Sequence, residues 1–215
     1  KILDIGCGDG AFVEYMAKIG ADCYAVEPDE RTRELVSNYE GINKVWQDIK
    51  DVDESGFDVI TMFEVIEHLT DPINNLKICN KLLKDNGSLI IKTPNFNAFE
   101  RKLLGPDWIS LEIPRHLQFY SESTLKKILN KSGFEIERII YPTHDRALLR
   151  SIWLKITTKG EAASTGKAEY TTNSWRRKID KTASFLLYPL WLIFSFFRAS
   201  HSIAVHAIKS KSELL

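Results

Sequence analysis

A short apolar strand runs directly into a glycine-rich turn near the start of this 215-residue chain, where residues 3–10 have the sequence LDIGCGDG. Helical periodicity follows from Ala11 to Ile19, so the turn joins a strand to a helix. Glycines in such a turn allow positive φ and let a ligand approach the backbone closely. The N–H groups at the start of the helix attract an anionic group. The pattern predicts a ligand site at the end of the first strand.

Strands and helices alternate through the first two thirds of the chain. Predicted strands cover 1–5, 22–26, 57–62, 88–92 and 134–141, and predicted helices cover 11–19, 30–39, 72–83 and 123–131. For the helix over 72–83, Asp71 is the predicted N-cap and Asn86-Gly87 the predicted stop signal. Alternation of this kind is typical of a parallel sheet with helices on both faces. We therefore predict an α/β fold with a doubly wound, mostly parallel sheet.

The pattern changes after the last of these strands. A segment rich in Gly, Ala, Ser and Thr is followed by a basic cluster and by the apolar run Ala183–Phe197, and a strand is predicted over His201–Ile208. We predict three parts: a core over 1–143, a helical insertion that is apolar and basic over 144–200, and a final strand and tail over 201–215 that returns to the sheet.

The apolar run has two interpretations. Its 15 residues fall short of the roughly 20 that a transmembrane helix needs. It is either a helix buried in the core or in a homodimer contact, or part of a peripheral membrane contact through 175–198. The second interpretation places Arg176, Arg177, Lys178, Lys181 and Arg198 near lipid phosphates.

Charge is distributed unevenly although the formal net charge is zero. Residues 1–145 hold 17 basic and 25 acidic side chains, whereas 146–215 hold 12 basic and 4 acidic ones. The basic C-terminal part favours an interaction surface there. The acidic N-terminal part argues against a nucleic-acid partner.

Cysteine content and the first residues bear on the cellular compartment. Cys7, Cys23 and Cys79 give neither a disulfide framework nor a CxxC metal spacing, which favours a reducing, cytoplasmic compartment. The chain opens on Lys1, inside a strand, without an initiator Met or a signal peptide. We therefore expect the natural N-terminus to lie upstream.

A carboxylate stands where a ribose-binding residue is needed. Glu27 follows Gly10 by seventeen residues, at the end of the second predicted strand, and can accept hydrogen bonds from two ribose hydroxyls. The turn also satisfies the dinucleotide fingerprint G-x-G-x-x-G/A, which indicates a nicotinamide-dependent oxidoreductase as a rival. Asp4 inside the first strand, and the third glycine one position early, oppose that rival.

Further motifs follow in order along the chain. They are AVEPD at 25–29, Gln47-Asp48-Ile49, FDVITMFEVIEHLTDP at 57–72 and IIKTPN at 90–95. Together with the glycine-rich turn they resemble the class I S-adenosylmethionine-dependent methyltransferases, in particular the ubiquinone-biosynthesis O-methyltransferase branch, over 1–141 and 201–209. The resemblance implies a Rossmann-like seven-strand sheet and S-adenosyl-L-methionine as cofactor. It also implies an enzyme that transfers a methyl group, most simply to an oxygen of a small-molecule, glycan or lipid-linked acceptor.

The resemblance also implies roles for individual residues. The glycine-rich turn packs against the methionine part of the cofactor, the end of the second strand holds the ribose diol, and Asp48 accepts from the adenine amine. The implied cofactor-binding residues are Asp4, Gly6, Cys7, Gly8, Gly10, Glu27, Pro28, Asp48, Ile49, Phe63 and Glu64. Family members usually have a helix before the first strand, and its absence here is a departure that bears on catalytic competence.

Two histidines are candidates for the proton transfer that an oxygen acceptor requires. His68 follows the fourth-strand motif and His116 lies in PRHLQFY, after the fifth predicted strand. The alternative is that each histidine only stabilises a loop. Glu64, Glu67, His68 and His116 also resemble the ExxEH…H divalent-metal arrangement of some 2′-O- and quinone-ring methyltransferases. We assign no metal ligand, and the metal question stays open.

Two further alternatives concern the acceptor side and the activity. Trp108 and Phe119 form either an aromatic wall beside the acceptor or ordinary packing. The chain as a whole is either an active methyltransferase or a catalytically silent module that keeps the cofactor fold.

Overall fold

The computed structural model describes residues 1–142 and 188–210. Its strands are β1 (Ile2–Ile5), β2 (Cys23–Val26), β3 (Ile42–Trp46), β4 (Phe57–Phe63), β5 (Leu83–Pro94), β6 (Phe134–Ile140) and β7 (Ser202–Lys209). Its α-helices are α1 (Ala11–Lys18), α2 (Glu30–Ser37), α3 (Pro72–Leu82), α4 (Phe99–Leu104), α5 (Glu122–Lys131) and α6 (Tyr188–Phe196). Short 3₁₀ helices cover Ile49–Asp51, Ile66–His68, Gly105–Asp107 and Ile109–Leu111.

All seven strands form one sheet in the order β3-β2-β1-β4-β5-β7-β6. The pairs β1/β2, β1/β4, β2/β3 and β4/β5 are parallel. The sheet order reverses direction at β1, which has β2 on one side and β4 on the other. In open sheets of this kind, ligands bind beyond the carboxyl ends of the strands where the order reverses. The predicted doubly wound, seven-strand fold class is confirmed.

The central strands are apolar because both of their faces are covered. Leu3 is fully buried on β1, Ile60 and Met62 on β4, and Leu89 and Ile91 on β5. Continuous apolar runs are expected for parallel strands with helices on both faces. Strand β3 was missed in the sequence because two polar residues, Asn43 and Lys44, separate its few apolar positions.

Helix α3 ends earlier than its predicted stop signal. Asp71 is its N-cap, as the sequence predicts, and accepts from the Asn74 N–H at 3.1 Å. The helix ends at Leu82, and β5 begins at the next residue. The predicted stop at Asn86-Gly87 is wrong, because these residues lie inside β5, where its register with β4 shifts.

The described residues divide into two compact units. The first comprises Lys1–Lys92, Ser123–Ile139 and 205–210, and the second comprises Thr93–Glu122, 140–142 and 188–204. The predicted limits of core, insertion and final strand stay predictions, since 143–187 and 211–215 lie outside the described residues. No helix in the part of the chain that the structure describes is long and apolar enough to cross a bilayer.

Candidate functional site

The glycine-rich turn between β1 and α1 adopts a backbone that favours glycine. Gly6, Gly8 and Gly10 have φ values of +70°, +53° and +76°. A Cβ at Gly6 would lie 2.5 Å from Val65 Cγ2, and one at Gly10 would lie 2.8 Å from Val36 Cγ2. A Cβ at Gly8 would meet no atom within 4 Å among the described residues. The outer two glycines therefore pack against the protein, whereas Gly8 faces open space.

The Glu27 carboxylate organises the turn through backbone donors. It is 7% exposed at the end of β2, and Oε2 accepts from the Gly8 N–H at 2.9 Å. Oε1 accepts from the Asp29 N–H, also at 2.9 Å, while Pro28 between them is exposed. A carboxylate has about four acceptor positions, and these bonds use two. The remaining lone pairs can accept from two hydroxyl groups of a ligand.

Asp4 lies beneath the turn, on β1, and is 3% exposed. It is in register with Thr61 on β4, whose hydroxyl donates to Asp4 Oδ1 at 2.5 Å. Burial raises the pKa of Asp4 to about 6, against the effect of the Thr61 hydrogen bond, and the nearby Glu27 charge raises it further. Burial likewise raises the pKa of the Cys7 thiol, to about 12. A thiol that stays protonated is a poor nucleophile.

The Asp48 segment follows β3 at the same edge of the sheet. Asp48 is exposed and caps the 3₁₀ helix Ile49–Asp51, with Oδ1 accepting from the Lys50 N–H at 2.9 Å. Ile49 is buried, at 4% exposure. A polar cap beside an apolar side chain suits a heteroaromatic ring with an exocyclic amine, which is the role that the resemblance implies.

Phe63 and Glu64 end β4 and begin the next turn. The Phe63 ring packs edge-to-face on Phe12, with centroids 5.1 Å apart. Glu64 has a φ of +57°, and its exposed carboxylate pairs with Lys92 Nζ at 2.8 Å. A non-glycine residue in this region costs about 1–3 kcal/mol, and such strain is concentrated at functional sites.

The two candidate catalytic histidines belong to different units. His68 ends the 3₁₀ helix Ile66–His68 in the first unit and is half-buried, with its backbone N–H donating to the Val65 carbonyl at 2.9 Å. His116 lies in the second unit and is 8% exposed. Its Nδ1 is 2.8 Å from the Ser110 carbonyl oxygen, and its Nε2 is 3.9 Å from Glu112 Oε2.

The predicted cofactor residues therefore lie together at the carboxyl ends of β1, β2, β3 and β4 in the first unit. Trp108 is fully buried against Ala98, Leu104 and Phe194 in the second unit. This burial supports ordinary packing for Trp108. The Phe119 ring lies beside the Phe96 ring, with their centroids 5.5 Å apart.

Sequence analysis missed several polar residues that the fold makes important. Thr61 is one, because its role depends on its register with Asp4 across β1 and β4. Glu100, Ser110 and His201 are others: all three are buried in the second unit, and Glu100 and Ser110 each lie within hydrogen-bond distance of the His201 ring. Glu100 gave no signal in the sequence, because acidic residues of helices are commonly exposed to solvent.

The geometry fits an adenosine-containing cofactor. Gly8 is exposed, and the space beside it, which we call the gap over Gly8, holds no atom within 4 Å of an added Cβ among the described residues, so a ligand can approach the backbone there. Glu27 retains acceptor capacity for a diol. The N–H groups at the start of α1 offer the positive end of the helix dipole. Asp9 Oδ1 accepts from the first of them, that of Ala11, at 3.2 Å, and the N-cap Gly10 supplies no side-chain acceptor to the others. The fold and this edge together define a nucleotide-cofactor-binding α/β protein.

Comparison with known proteins shows which family of cofactor-binding α/β proteins the chain belongs to. A family model described as "Methyltransferase domain" matches residues 1–139, and the chain belongs to this methyltransferase family. The resemblance predicted from the sequence motifs is confirmed.

Three similar proteins illustrate the relationship. A ubiquinone biosynthesis O-methyltransferase of Xanthomonas axonopodis pv. citri is 31% identical over 170 residues, covering 70% of this chain and 71% of the relative. A ubiquinone biosynthesis O-methyltransferase of Cereibacter sphaeroides is 31% identical over 149 residues, which cover 63% of this chain and 60% of the relative. A SAM-dependent methyltransferase structure from Archaeoglobus fulgidus superposes with a TM-score of 0.60 at 20% identity, covering 97% of this chain and 85% of that one. The chain thus spans about three fifths of the length of the Cereibacter sphaeroides relative.

Proposed function

We propose that the protein transfers a methyl group from S-adenosyl-L-methionine to an oxygen of a small acceptor. The observation that carries the proposal is the open space over Gly8, flanked by the buried Glu27 carboxylate. The names of the relatives support both parts: the Archaeoglobus structure is called SAM-dependent, and the curated relatives are called O-methyltransferases.

The residues of the chain have defined tasks in this reaction. When bound, S-adenosylmethionine supplies a methyl group that its sulfonium already activates. Glu27 would hold the ribose of the cofactor and the glycine-rich turn its methionine part. Asp48 and Ile49 would contact the adenine. Phe63 and Glu64 would line the cofactor where β4 ends. The protein then has to orient the acceptor, exclude water and remove one proton from the acceptor oxygen.

The hydrogen bonds of His116 suit a general base, because they place the ring proton on one nitrogen and the lone pair on the other. A carbonyl oxygen can only accept, so the 2.8 Å contact with Ser110 requires the proton of neutral His116 on Nδ1. The lone pair of the ring is then on Nε2, the nitrogen that can take a proton from a hydroxyl. His68 is the second candidate, at the turn that follows β4.

The cofactor and the reaction are tested separately. Calorimetric titration should show binding of S-adenosylmethionine and no binding of NAD, since binding of NAD instead would revive the oxidoreductase alternative. Incubation of a cell extract with labelled cofactor should then transfer label to a small molecule. Cofactor binding without any transfer would support the silent module.

We further propose that α6 contacts an anionic lipid surface, which would suit a lipid-linked acceptor. Phe196 and Phe197 are 81% and 71% exposed, and Leu192 and Ile193 are about half exposed. Exposed aromatic and aliphatic side chains on one helix are typical of interfacial binding. Arg198 follows the helix, with one guanidinium nitrogen 2.9 Å from Glu122. Residues 175–187, which hold the other basic side chains of this proposal, lie outside the described residues.

Vesicle sedimentation tests the lipid contact. The wild type should sediment with phosphatidylserine-containing vesicles at low salt, and reversal of Arg176, Arg177 and Lys178 to Glu should abolish sedimentation. A double change of Phe196 and Phe197 to Ser should weaken it. The matched control changes Tyr15 and Ile19, which are 62% and 61% exposed in the first unit, to Ser and should have no effect. A wild type that stays in the supernatant overturns the proposal.

A further inference from the structure

A chain of buried polar side chains runs through the second unit. Glu100 on α4 is fully buried, and its Oε2 lies 3.2 Å from His201 Nδ1. His201 precedes β7 and is 8% exposed, and its Nε2 lies 2.9 Å from Ser110 Oγ. We call Glu100, His201 and Ser110 the Glu100 cluster. It connects α4 and the segment around Ser110 to the residue before β7, which lies 101 and 91 residues further along the chain.

This cluster is costly to bury in an apolar environment. Trp108 packs edge-to-face on the His201 ring at 5.6 Å, with its indole nitrogen 3.4 Å from Nδ1, and belongs to the same apolar core as Leu104 and Phe194. Glu100 Oε1 has no hydrogen-bond partner within the described residues. Burial of a carboxylate is unfavourable unless a donor compensates it, and an apolar trio of similar volume would often be as stable. The arrangement therefore indicates a task beyond packing.

Ser110 links the cluster to His116. Its hydroxyl meets His201, and its backbone carbonyl accepts the Nδ1–H of His116. With Glu100 ionised, His201 Nδ1 donates to the carboxylate at 3.2 Å rather than accepting from the Trp108 indole N–H at 3.4 Å, and Nε2 accepts from the Ser110 hydroxyl. The side chain of Ser110 thereby fixes the orientation of the peptide to which His116 is bonded.

The segment between Ser110 and His116 has little regular structure of its own. It contains one 3₁₀ turn, Ile109–Leu111, followed by Glu112 at a φ of +31°. Backbone bonds from Arg115 and His116 to the Glu112 carbonyl close a short turn. Because regular hydrogen bonding holds this segment only locally, a side-chain tether to α4 and to the residue before β7 is an effective constraint.

We propose that the Glu100 cluster positions His116 and holds it in the Nδ1–H form, with the lone pair on Nε2. The three residues are positioning residues, since they act through the Ser110 peptide rather than on an acceptor. This inference rests on the proposed role of His116 as a base. It deepens that role by naming what sets the proton position on the ring.

The direct test is long-range ¹⁵N–¹H NMR of the histidine rings, which reports which nitrogen carries the proton. Single His→Gln variants assign the five histidines of the chain. In the wild type His116 should show only the Nδ1–H form. In Ser110→Ala, which retains the carbonyl but loses the hydroxyl, His116 should show a mixture of both forms. In Glu100→Gln the same mixture is expected.

Turnover provides a second measurement. Ser110→Ala should lower kcat about 10-fold, since small displacements of a reacting group cost this much or more, while the KM for S-adenosylmethionine stays unchanged. Ser110→Thr keeps the hydroxyl and should restore most of the activity. The control Ser202→Ala removes a buried hydroxyl that has no hydrogen-bond partner within the described residues, so it should change neither measurement.

The outcomes separate the two proposals. An unchanged Nδ1–H signal for His116 in both Ser110→Ala and Glu100→Gln overturns the positioning role. If Ser110→Ala does not fold, Glu100→Gln and Ser110→Thr still allow the NMR comparison, because both keep hydrogen-bonding groups of similar size. A wild type that binds no S-adenosylmethionine contradicts the proposed function, whereas the position of the His116 proton is measured by NMR without any cofactor.

Discussion

Each unit of the molecule contains a buried, hydrogen-bonded carboxylate, Glu27 in the first unit and Glu100 in the second. The two carboxylates differ in the kind of donor that they face. Glu27 accepts from backbone N–H groups, those of Gly8 and Asp29. Glu100 faces a side chain, that of His201, 101 residues further along the chain. Backbone donors are present at every non-proline residue, so a carboxylate next to a glycine-rich turn needs little else. A buried carboxylate that relies on a side chain needs one particular residue from elsewhere in the fold.

The difference also concerns ligand binding. Both Glu27 oxygens are held by short backbone contacts and keep acceptor capacity toward the gap over Gly8. The Glu100 cluster instead uses its hydrogen bonds inside the protein and ends at the Ser110 peptide. The first arrangement suits cofactor binding directly. The second suits the positioning of another residue.

The largest effect is expected for the histidines. His116→Asn can still donate to the Ser110 carbonyl but lacks Nε2, so turnover should fall about 100-fold or more, the usual contribution of a positioned base. If His68 takes the proton instead, the loss of this size should appear in His68→Ala. Calorimetry should show nearly unchanged affinity for S-adenosylmethionine in both variants.

His206 supplies the matched control for this experiment. It lies on β7 in the first unit, 2.8 Å from Ser88 Oγ and 3.0 Å from Glu137, away from the predicted cofactor residues. His206→Ala should keep wild-type turnover. Full activity of both His116→Asn and His68→Ala would show that neither histidine is a base. Activity that survives extensive chelation would exclude the metal alternative alone.

The contrast between the units explains what the sequence could predict. The turn over residues 3–10, Glu27 and the alternation of strands and helices are local patterns, and the fold and the family follow from them. Strand β3 was missed because its few apolar residues are interrupted, and the start of β5 was missed because Asn86-Gly87 resembles a helix stop. The Glu100 cluster could not be predicted, since hydrogen bonds across 91 and 101 residues leave no local pattern.

Asp4 makes the stability of the first unit depend on pH. Its pKa is raised to about 6 from 3.8, so the unfolded chain loses this proton at a lower pH than the folded protein does. The stabilisation is complete below about pH 4 and is lost as the pH rises through 6, for a total of about 3 kcal/mol. Denaturant unfolding between pH 4 and pH 8 should show this for the wild type but not for Asp4→Asn.

The comparison between the wild type and Asp4→Asn isolates the contribution of the Asp4 carboxyl to stability. Asn retains an oxygen that can accept from the Thr61 hydroxyl, so the variants should have similar stability at pH 4. Above pH 6 Asp4→Asn should be the more stable protein. A constant difference across the range would show that the Asp4 carboxyl titrates normally.

Glu27 tests the cofactor assignment itself. Glu27→Ala removes a charged hydrogen-bond acceptor and should weaken S-adenosylmethionine binding by about 1.5–3 kcal/mol, which is about 10- to 150-fold in Kd. Glu14→Ala is the control, because Glu14 is an acidic residue of α1 whose carboxylate pairs with Lys18 at 2.6 Å. Calorimetry that finds equal affinities for Glu27→Ala and the wild type would contradict the ribose-binding role.

The smallest expected effect separates two glycines of the same turn. Alanine at either position adopts a positive φ, at a cost of about 1–2 kcal/mol. Gly8→Ala adds a methyl group in open space, so its unfolding free energy should fall by no more than that, while cofactor affinity drops because the gap is filled. Gly6→Ala also brings a Cβ to 2.5 Å from Val65 Cγ2, and overpacking should cost about 1–3 kcal/mol more. Urea unfolding measures both variants.

Since Val65→Ala removes the atom that the new Cβ would meet, the Gly6→Ala/Val65→Ala double variant should be more stable than the sum of the single changes predicts. Strict additivity would show that backbone conformation, and not contact with Val65, is what requires glycine at position 6.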